Sequence, residues 1–148
     1  MRYLKKLILF FLLIVVLSAC SEENKTPPEL KVSSNNDEVV AVLGEYNWTY
    51  QNFDGTSTTE SVDVDIPPRI VVHQTNELNT GMGSEINLDF GESPQDIRVY
   101  IWNSSEVERE IDVEDTTFKT DEKGYILYEI ISTWDQGNVH YVVKIHVQ

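Results

Sequence analysis

The chain has 148 residues, which is enough for one domain and too few for several. Its 25 acidic residues outnumber its 11 basic ones and give a formal net charge of −14. A field of this sign repels phosphate backbones, so the composition argues against nucleic-acid binding.

The beginning of the chain has the three-part pattern of a secretory signal. Three basic residues lie within residues 1–6, an unbroken apolar run fills residues 7–17, and the small residues Ser18 and Ala19 follow. The apolar run is too short to span a bilayer comfortably. We therefore predict that residues 1–19 form a signal peptide for export.

The tetrad Leu17-Ser18-Ala19-Cys20 resembles the lipobox of bacterial lipoproteins. The resemblance implies cleavage before Cys20, which then carries a diacylglyceryl thioether and anchors the chain to the outer face of the bacterial cell membrane. Two acyl chains are sufficient for stable anchoring. Cys20 is also the only cysteine, so no intramolecular disulfide can form. After cleavage 8 basic and all 25 acidic residues remain, a formal net charge of −17, which we attribute to solubility.

The residues after Cys20 are polar and proline-containing, which predicts a flexible tether over residues 20–38 and a folded domain over residues 39–148. An apolar run at 39–43 ends at Gly44. Strand-like runs at 46–51 and 61–66 flank Asn52-Phe53-Asp54-Gly55, where Asp-Gly indicates a turn.

The next segments continue the pattern of short strands. Pro67-Pro68 ends the previous run and residues 69–73 begin another strand, whereas residues 74–84 lack apolar periodicity and predict a long loop. Alternation then predicts half-buried strands at residues 85–90 and 96–102. A charged edge strand follows around residues 107–113, and Phe118 is a candidate core residue.

The last 25 residues form the clearest element, a β-hairpin around a turn at residues 135–138. On its second strand the apolar residues share one face, namely Val139, Tyr141, Val143, Ile145 and Val147. The opposite face carries His140, Lys144, His146 and Gln148, interrupted only by Val142. This period of two predicts a strand with one buried side.

These runs predict an all-β fold, a single antiparallel β-sandwich of about seven to eight strands and of immunoglobulin size. Asp121-x-x-Gly124-Tyr125 resembles the turn-plus-tyrosine entry to the penultimate strand of Ig-like domains. Trp102 resembles their core tryptophan, and Trp134, Gly137 and Tyr141 resemble the closing hairpin of bacterial surface Ig-like modules. That hairpin is also similar to those of small, uncharacterised lipoproteins of Gram-positive bacteria, which implies a location at the cell surface.

No pattern in the sequence predicts a metal, a cofactor or catalysis. His140 and His146 share a face, but six residues of strand separate them by roughly 20 Å, too far to share one zinc ion. His73 could join only one of them. The acidic pairs lack the spacing of the best-known calcium loop, and no nucleophile elbow, Walker loop or dinucleotide fingerprint is present.

Recognition is therefore the predicted activity. If Ile97 and its alternate neighbours point inward, then Arg98, Tyr100 and Trp102 point outward along one strand. Arginine and amphipathic aromatics dominate binding hot spots, which makes these three residues the candidate protein-binding surface. The opposing interpretation is that this face packs under a loop, with Trp102 turned into the core.

The sequence as a whole predicts a lipid-anchored binding module that recognises an unidentified protein or cell-envelope partner. One alternative is a protease inhibitor, for which residues 74–84 would be the inserting loop. Another is a β-sandwich hydrolase, which would require a histidine and a carboxylate to converge in a cleft.

Overall fold

The computed structural model of the protein describes residues 25–148. The predicted signal peptide, the lipobox with Cys20 and the first residues of the predicted tether lie outside this range. No helix within residues 25–148 is long and apolar enough to cross a membrane.

The described residues form eleven strands, one short helix and one 3-10 turn. The strands are β1 (Lys31–Ser34), β2 (Asp37–Val40), β3 (Val42–Gln51), β4 (Ser57–Val62), β5 (Leu78–Thr80), β6 (Glu85–Asp89), β7 (Asp96–Trp102), β8 (Val107–Ile111), β9 (Thr117–Lys119), β10 (Gly124–Trp134) and β11 (Gly137–Val147). The helix α1 (Pro67–Ile70) runs directly into the 3-10 turn Val71–His73.

These strands form two packed sheets, which confirms the predicted all-β sandwich. The small sheet has the order β2-β1-β6-β9 and the large sheet the order β4-β3-β11-β10-β7-β8. All of these pairs are antiparallel, whereas β5 runs parallel to the end of β11. The strand number is higher than the predicted seven to eight, because strands of three or four residues carry too little alternation to be recognised.

The hairpin of β10 and β11 lies at the centre of the large sheet. All five apolar residues on the predicted inner face of β11 are buried, which confirms the predicted alternation. Burial of one such side chain contributes about 1.5–3 kcal/mol. Aromatic rings then join the two sheets, since Phe90 of the small-sheet side meets both Trp134 and Tyr141 edge-on, with ring centroids 5.5 and 5.8 Å away.

The turn of this hairpin is shorter than predicted. Trp134 pairs with Gly137, so the loop contains only Asp135 and Gln136. Gly137 has a positive φ of 151°, and a Cβ at this position would collide with the backbone of Asn47 on β3. The glycine is therefore required by the close approach of β3, not by the turn alone.

The sandwich begins earlier than the predicted boundary at residue 39. Strand β1 lies within the predicted tether, and Leu30 and Val32 are completely buried. The hydroxyl of Tyr141 donates a hydrogen bond to the carbonyl of Pro28. Two buried apolar residues in a polar stretch are a weak signal, but they suffice to place β1 between β2 and β6 in the small sheet.

Three further predictions between residues 40 and 85 are wrong. Gly44 does not end a strand, because β3 continues through it. The second strand of the first hairpin is β4, which ends at Val62 and not at residue 66. Residues 69–73 are helical, since prolines at the first two positions of α1 fit a helix start, where the missing N–H groups cost nothing. The predicted turn at residues 52–55 is confirmed.

The predicted strand at residues 96–102 is confirmed as β7, and β8 is the predicted charged edge strand. Phe118 is buried as predicted. Two details of the Ig resemblance are wrong. Trp102 lies on the outer face of the large sheet, and the fully buried tryptophan is Trp48. Tyr125 is 59% exposed and stacks on His146, so it is not a buried corner tyrosine.

Candidate functional site

The three predicted binding residues lie where the alternation of β7 places them. Val99 and Ile101 are buried in the core, and Arg98, Tyr100 and Trp102 lie on the outer face of the large sheet. Arg98 is exposed, Tyr100 and Trp102 are half-buried. The pKa of Arg98 is raised above its ordinary value, mainly by side-chain hydrogen bonding with Tyr100. The Asp96 carboxylate, 3.4 Å away, raises this pKa further.

Trp102 differs from the other two because its polar atom is already engaged. Its indole Nε1 donates a 2.6 Å hydrogen bond to Oε2 of Glu129 on the neighbouring strand β10. The ring therefore stays on the outer face and is held there, which excludes the alternative that it turns into the core. Arg98 and Tyr100 remain available to a partner, whereas Trp102 serves a second group of residues.

Glu129 is the centre of that group, and it is buried although it faces outward. Only 7% of the residue is exposed. Its second carboxylate oxygen, Oε1, lies 2.7 Å from Nδ1 of His140 on β11. A carboxylate can only accept, so Nδ1 of His140 carries the hydrogen in this bond. Both oxygens of Glu129 are thus satisfied by ring N–H groups from the two strands that flank β10.

A β-bulge in β3 brings a second carboxylate to the other side of the histidine. The pairing of β11 with β3 shifts register between Val139 and Tyr141, so that Gly44 and Glu45 both lie opposite His140. A Cβ on Gly44 would lie 3.0 Å from the carbonyl oxygen of His140, which leaves little room for any other residue. Glu45 then places its Oε1 3.7 Å from Nε2 of His140.

Residues 64–70, which we call the strap, cross this part of the outer face. Pro67 is the buried residue of the strap's short helix, and Val142, directly opposite Glu129 in the sheet register, is only 1% exposed. Val142, the apolar residue that interrupts the polar face of β11, is therefore the residue that the strap covers.

An ion pair at the surface fixes the start of α1. Asp65 accepts hydrogen bonds from Arg69, at 3.0 Å, and from the backbone N–H of Ile66, and these bonds hold the pKa of Asp65 below its ordinary value. The strap therefore carries its own charge pair on the solvent side.

A half-open cavity of about 150 Å³ remains between the strap and the sheet. One wall is apolar and comes largely from the strap. The other wall carries the polar atoms described above. The lining residues are Gly44, Glu45, Val64, Asp65, Ile66, Pro67, Ile70, Trp102, Glu129, His140 and Val142.

This cavity brings a histidine and a carboxylate together, which is the geometry that the hydrolase alternative requires. None of the lining residues is a serine, threonine or cysteine, however, so the cavity lacks the hydroxyl or thiol nucleophile of a triad-type hydrolase. Residues 25–148 also contain no group of three or more acidic, histidine or cysteine side chains that could hold a metal ion. His73 and His146 lie elsewhere, and His146 contacts Asn79 and Tyr125.

The predicted long loop at residues 74–84 is attached to the sandwich along its length. The side-chain amide of Gln74 donates to the carbonyl of Lys144 and accepts from its N–H, at 2.9 and 2.7 Å, as a neighbouring strand would. Leu78 and Thr80 of β5 are buried, and Thr80 shares a hydrogen bond with Ser34. The segment is therefore not the free inserting loop that the inhibitor alternative requires.

Sequence reasoning did not single out Glu129, Glu45 or the strap. The sequence carries one signal for this site. Glu129 is an acidic residue at an outward position between apolar residues, and the outward face of the next strand carries His140. Comparison with known proteins finds no family model that matches this chain, no similar curated protein and no similar solved structure. The geometry of the outer face is accordingly the basis for the functional argument.

Proposed function

We propose that the chain is an exported binding module, anchored to the outer face of the bacterial cell membrane through lipid on Cys20. Its partner, a protein or another component of the cell envelope, binds on the outer face of β7. The lipobox supports the anchor, and the surface formed by Arg98, Tyr100 and Trp102 supports the binding function.

The observation that carries the proposal is the state of these three side chains. Arg98 and Tyr100 lie two residues apart on the same face of β7, and Trp102 is held in place by its bond to Glu129. Side chains that are already ordered lose less conformational entropy when a partner binds. An arginine with two amphipathic aromatics in a fixed arrangement is typical of a binding hot spot.

The alternatives have less support. The inhibitor alternative lacks its free loop, because Leu78–Thr80 pair with β11 and the side chain of Gln74 bonds to the backbone of Lys144. The hydrolase alternative has the pair of Glu129 and His140 but no serine, threonine or cysteine nucleophile among the residues that line the cavity. We therefore propose no enzymatic activity.

Affinity capture with a matched pair of tyrosine variants tests the proposal. The full chain in a neutral detergent is used to capture partners from cell-envelope extract, in parallel with Tyr100→Ala and with Tyr125→Ala. Tyr125 is an exposed tyrosine on β10 outside the proposed surface. A specific partner should be retained by Tyr125→Ala and lost with Tyr100→Ala, by about 1–3 kcal/mol of binding free energy.

The melting temperature of Tyr100→Ala separates binding from folding. The side chain is outside the core, so the variant should keep a melting temperature close to that of the wild type. Unchanged affinity in a folded Tyr100→Ala variant contradicts the proposed surface. A large fall in melting temperature shows that Tyr100 packs and does not recognise.

A further inference from the structure

In the cavity under the strap, a ring nitrogen of His140 and a carboxylate oxygen of Glu45 face each other at 3.7 Å. Nδ1 of His140 is occupied by its bond to Glu129, so in the neutral ring the lone pair is on Nε2. That nitrogen faces Oε1 of Glu45 at 3.7 Å, a distance beyond a hydrogen bond. Two facing acceptors repel each other unless a proton donor lies between them.

Glu129 explains why this arrangement is rigid. Burying a carboxylate is costly, and an apolar residue such as the neighbouring Val142 would cover the sheet at lower cost. Glu129 orients the rings of Trp102 and His140, because its two carboxylate oxygens accept hydrogen bonds from their ring nitrogens at 2.6 and 2.7 Å. Both rings line the cavity, so their fixed orientation shapes a site and not only a contact.

The chemistry of the walls defines what the cavity would accept. Glu45 and Glu129 give the polar wall a negative charge. The strap wall is mainly apolar, from Ile66, Pro67 and Ile70, and its one charged lining residue, Asp65, is paired with Arg69. An indole ring adds a face that attracts cations. A volume of about 150 Å³ exceeds the roughly 10–15 Å³ that one water requires on the same measure. The cavity therefore has room for a group larger than one water, and its walls suit a group that is cationic at one end and apolar at the other.

We infer that this cavity is a binding site for a primary alkylammonium group. The ammonium donates to Nε2 of His140 and to the carboxylate of Glu45, and the alkyl chain lies against the strap. The group can belong to a small free amine or to a lysine side chain. This site shares Trp102 with the partner surface proposed above but does not involve Arg98 or Tyr100, and its test does not require that partner.

Arg69 of the strap and Lys144 of β11 already have partners of their own. Arg69 pairs with Asp65 on the solvent side of the strap, and Nζ of Lys144 lies 5.7 Å from the ring of Tyr125. The competing state of the site is a doubly protonated His140, whose Nε2–H would donate to Glu45 itself. In that state an added ammonium has no acceptor pair to bridge.

The indole N–H signal of Trp102 in a ¹⁵N correlation spectrum is a direct probe of the site. The chain has three tryptophans, and the buried Trp48 and Trp134 serve as internal references. The full chain in a neutral detergent is titrated with propylammonium chloride, with tetramethylammonium chloride and with sodium chloride. A second series uses lysine blocked at both backbone ends, which distinguishes free amines from lysine side chains as the source.

We expect a saturable shift of the Trp102 signal with propylammonium and not with the other two salts, because tetramethylammonium has no N–H donor. Glu45→Gln should weaken this binding by about tenfold, since it removes one charge-assisted bond. Glu77→Gln is the matched control, because Glu77 is exposed and does not line the cavity. Equal shifts with all three salts, or the same affinity in Glu45→Gln, would overturn the inference.

Discussion

The hydroxyl of Tyr141 donates a 2.7 Å hydrogen bond to the carbonyl oxygen of Pro28, a residue 113 positions earlier in the chain. This bond joins the central strand of the large sheet to the segment that leads into β1. Tyr128 lies on the same inner face, directly opposite Val143, and is equally buried. Its hydroxyl has no hydrogen-bond partner among residues 25–148. The two tyrosines therefore provide a matched comparison.

Removing the hydroxyl groups should have opposite effects at the two positions. Tyr141→Phe loses a buried bond and should lower the free energy of unfolding by about 1 kcal/mol. Tyr128→Phe removes an unsatisfied polar atom and should be neutral or stabilising. Urea denaturation of both variants measures the difference. An equal loss of stability in the two would show that the hydroxyl of Tyr128 has a partner in solution.

Burial of both phenols also predicts how stability depends on alkaline pH. Burial raises the pKa of Tyr128 and of Tyr141 above the ordinary value of 10.0. Because the folded-state pKa is raised, the stabilisation is fully present below about pH 10 and is lost as the pH rises above it, where only the unfolded chain ionises. The unfolding midpoint in urea should fall over this range.

The double variant Tyr128→Phe with Tyr141→Phe is the control for the alkaline experiment. Without these two hydroxyl groups, the decline in unfolding midpoint above about pH 10 should be shallower than in the wild type. A decline of the same steepness in both proteins would assign the alkaline sensitivity to other groups.

The two faces of β11 should respond differently to a new charge. Val143 is completely buried on the inner face, so Val143→Asp places an unpaired carboxylate in the core and should cost several kcal/mol, comparable with the stability of the whole domain. His146 lies on the outer face near the end of the strand, where His146→Asp should cost about 1 kcal/mol or less. Similar denaturation midpoints for the two variants would refute the observed alternation.

The parts of the fold that could be predicted are those with long alternating patterns. Strands β10 and β11 have eleven residues each and β7 has seven, so their inner and outer faces follow directly from the period of two. Strands β1, β2 and β5 have three or four residues and were missed. A strand of this length is defined by its neighbours more than by its own sequence, since β5 pairs with the last residues of β11, beyond the part of β11 that β3 covers.

The cavity could not be predicted for a different reason. Parity places His140 and Glu129 on the outer face, but their contact depends on which residues of the strands are paired. The approach of Glu45 depends on a bulge at Gly44, which has the appearance of a strand break in the sequence. A bulge is a relation between two strands, and hydrophobic periodicity within one strand carries no information about it.

The proposed anchor gives the last prediction, which concerns Cys20. In a lipobox the cysteine thiol receives the diacylglyceryl group, and cleavage of the signal follows after Ala19. Cys20→Ala should therefore abolish incorporation of labelled fatty acid and leave the signal uncleaved. Because Cys20 is the only cysteine, no other thiol in the chain can accept a thioether-linked lipid. Ser21→Ala is the matched control and should be labelled like the wild type. Labelled fatty acid in the Cys20→Ala chain would show that the lipobox interpretation is wrong. The proposed sites under the strap and on β7 would be unaffected by that result.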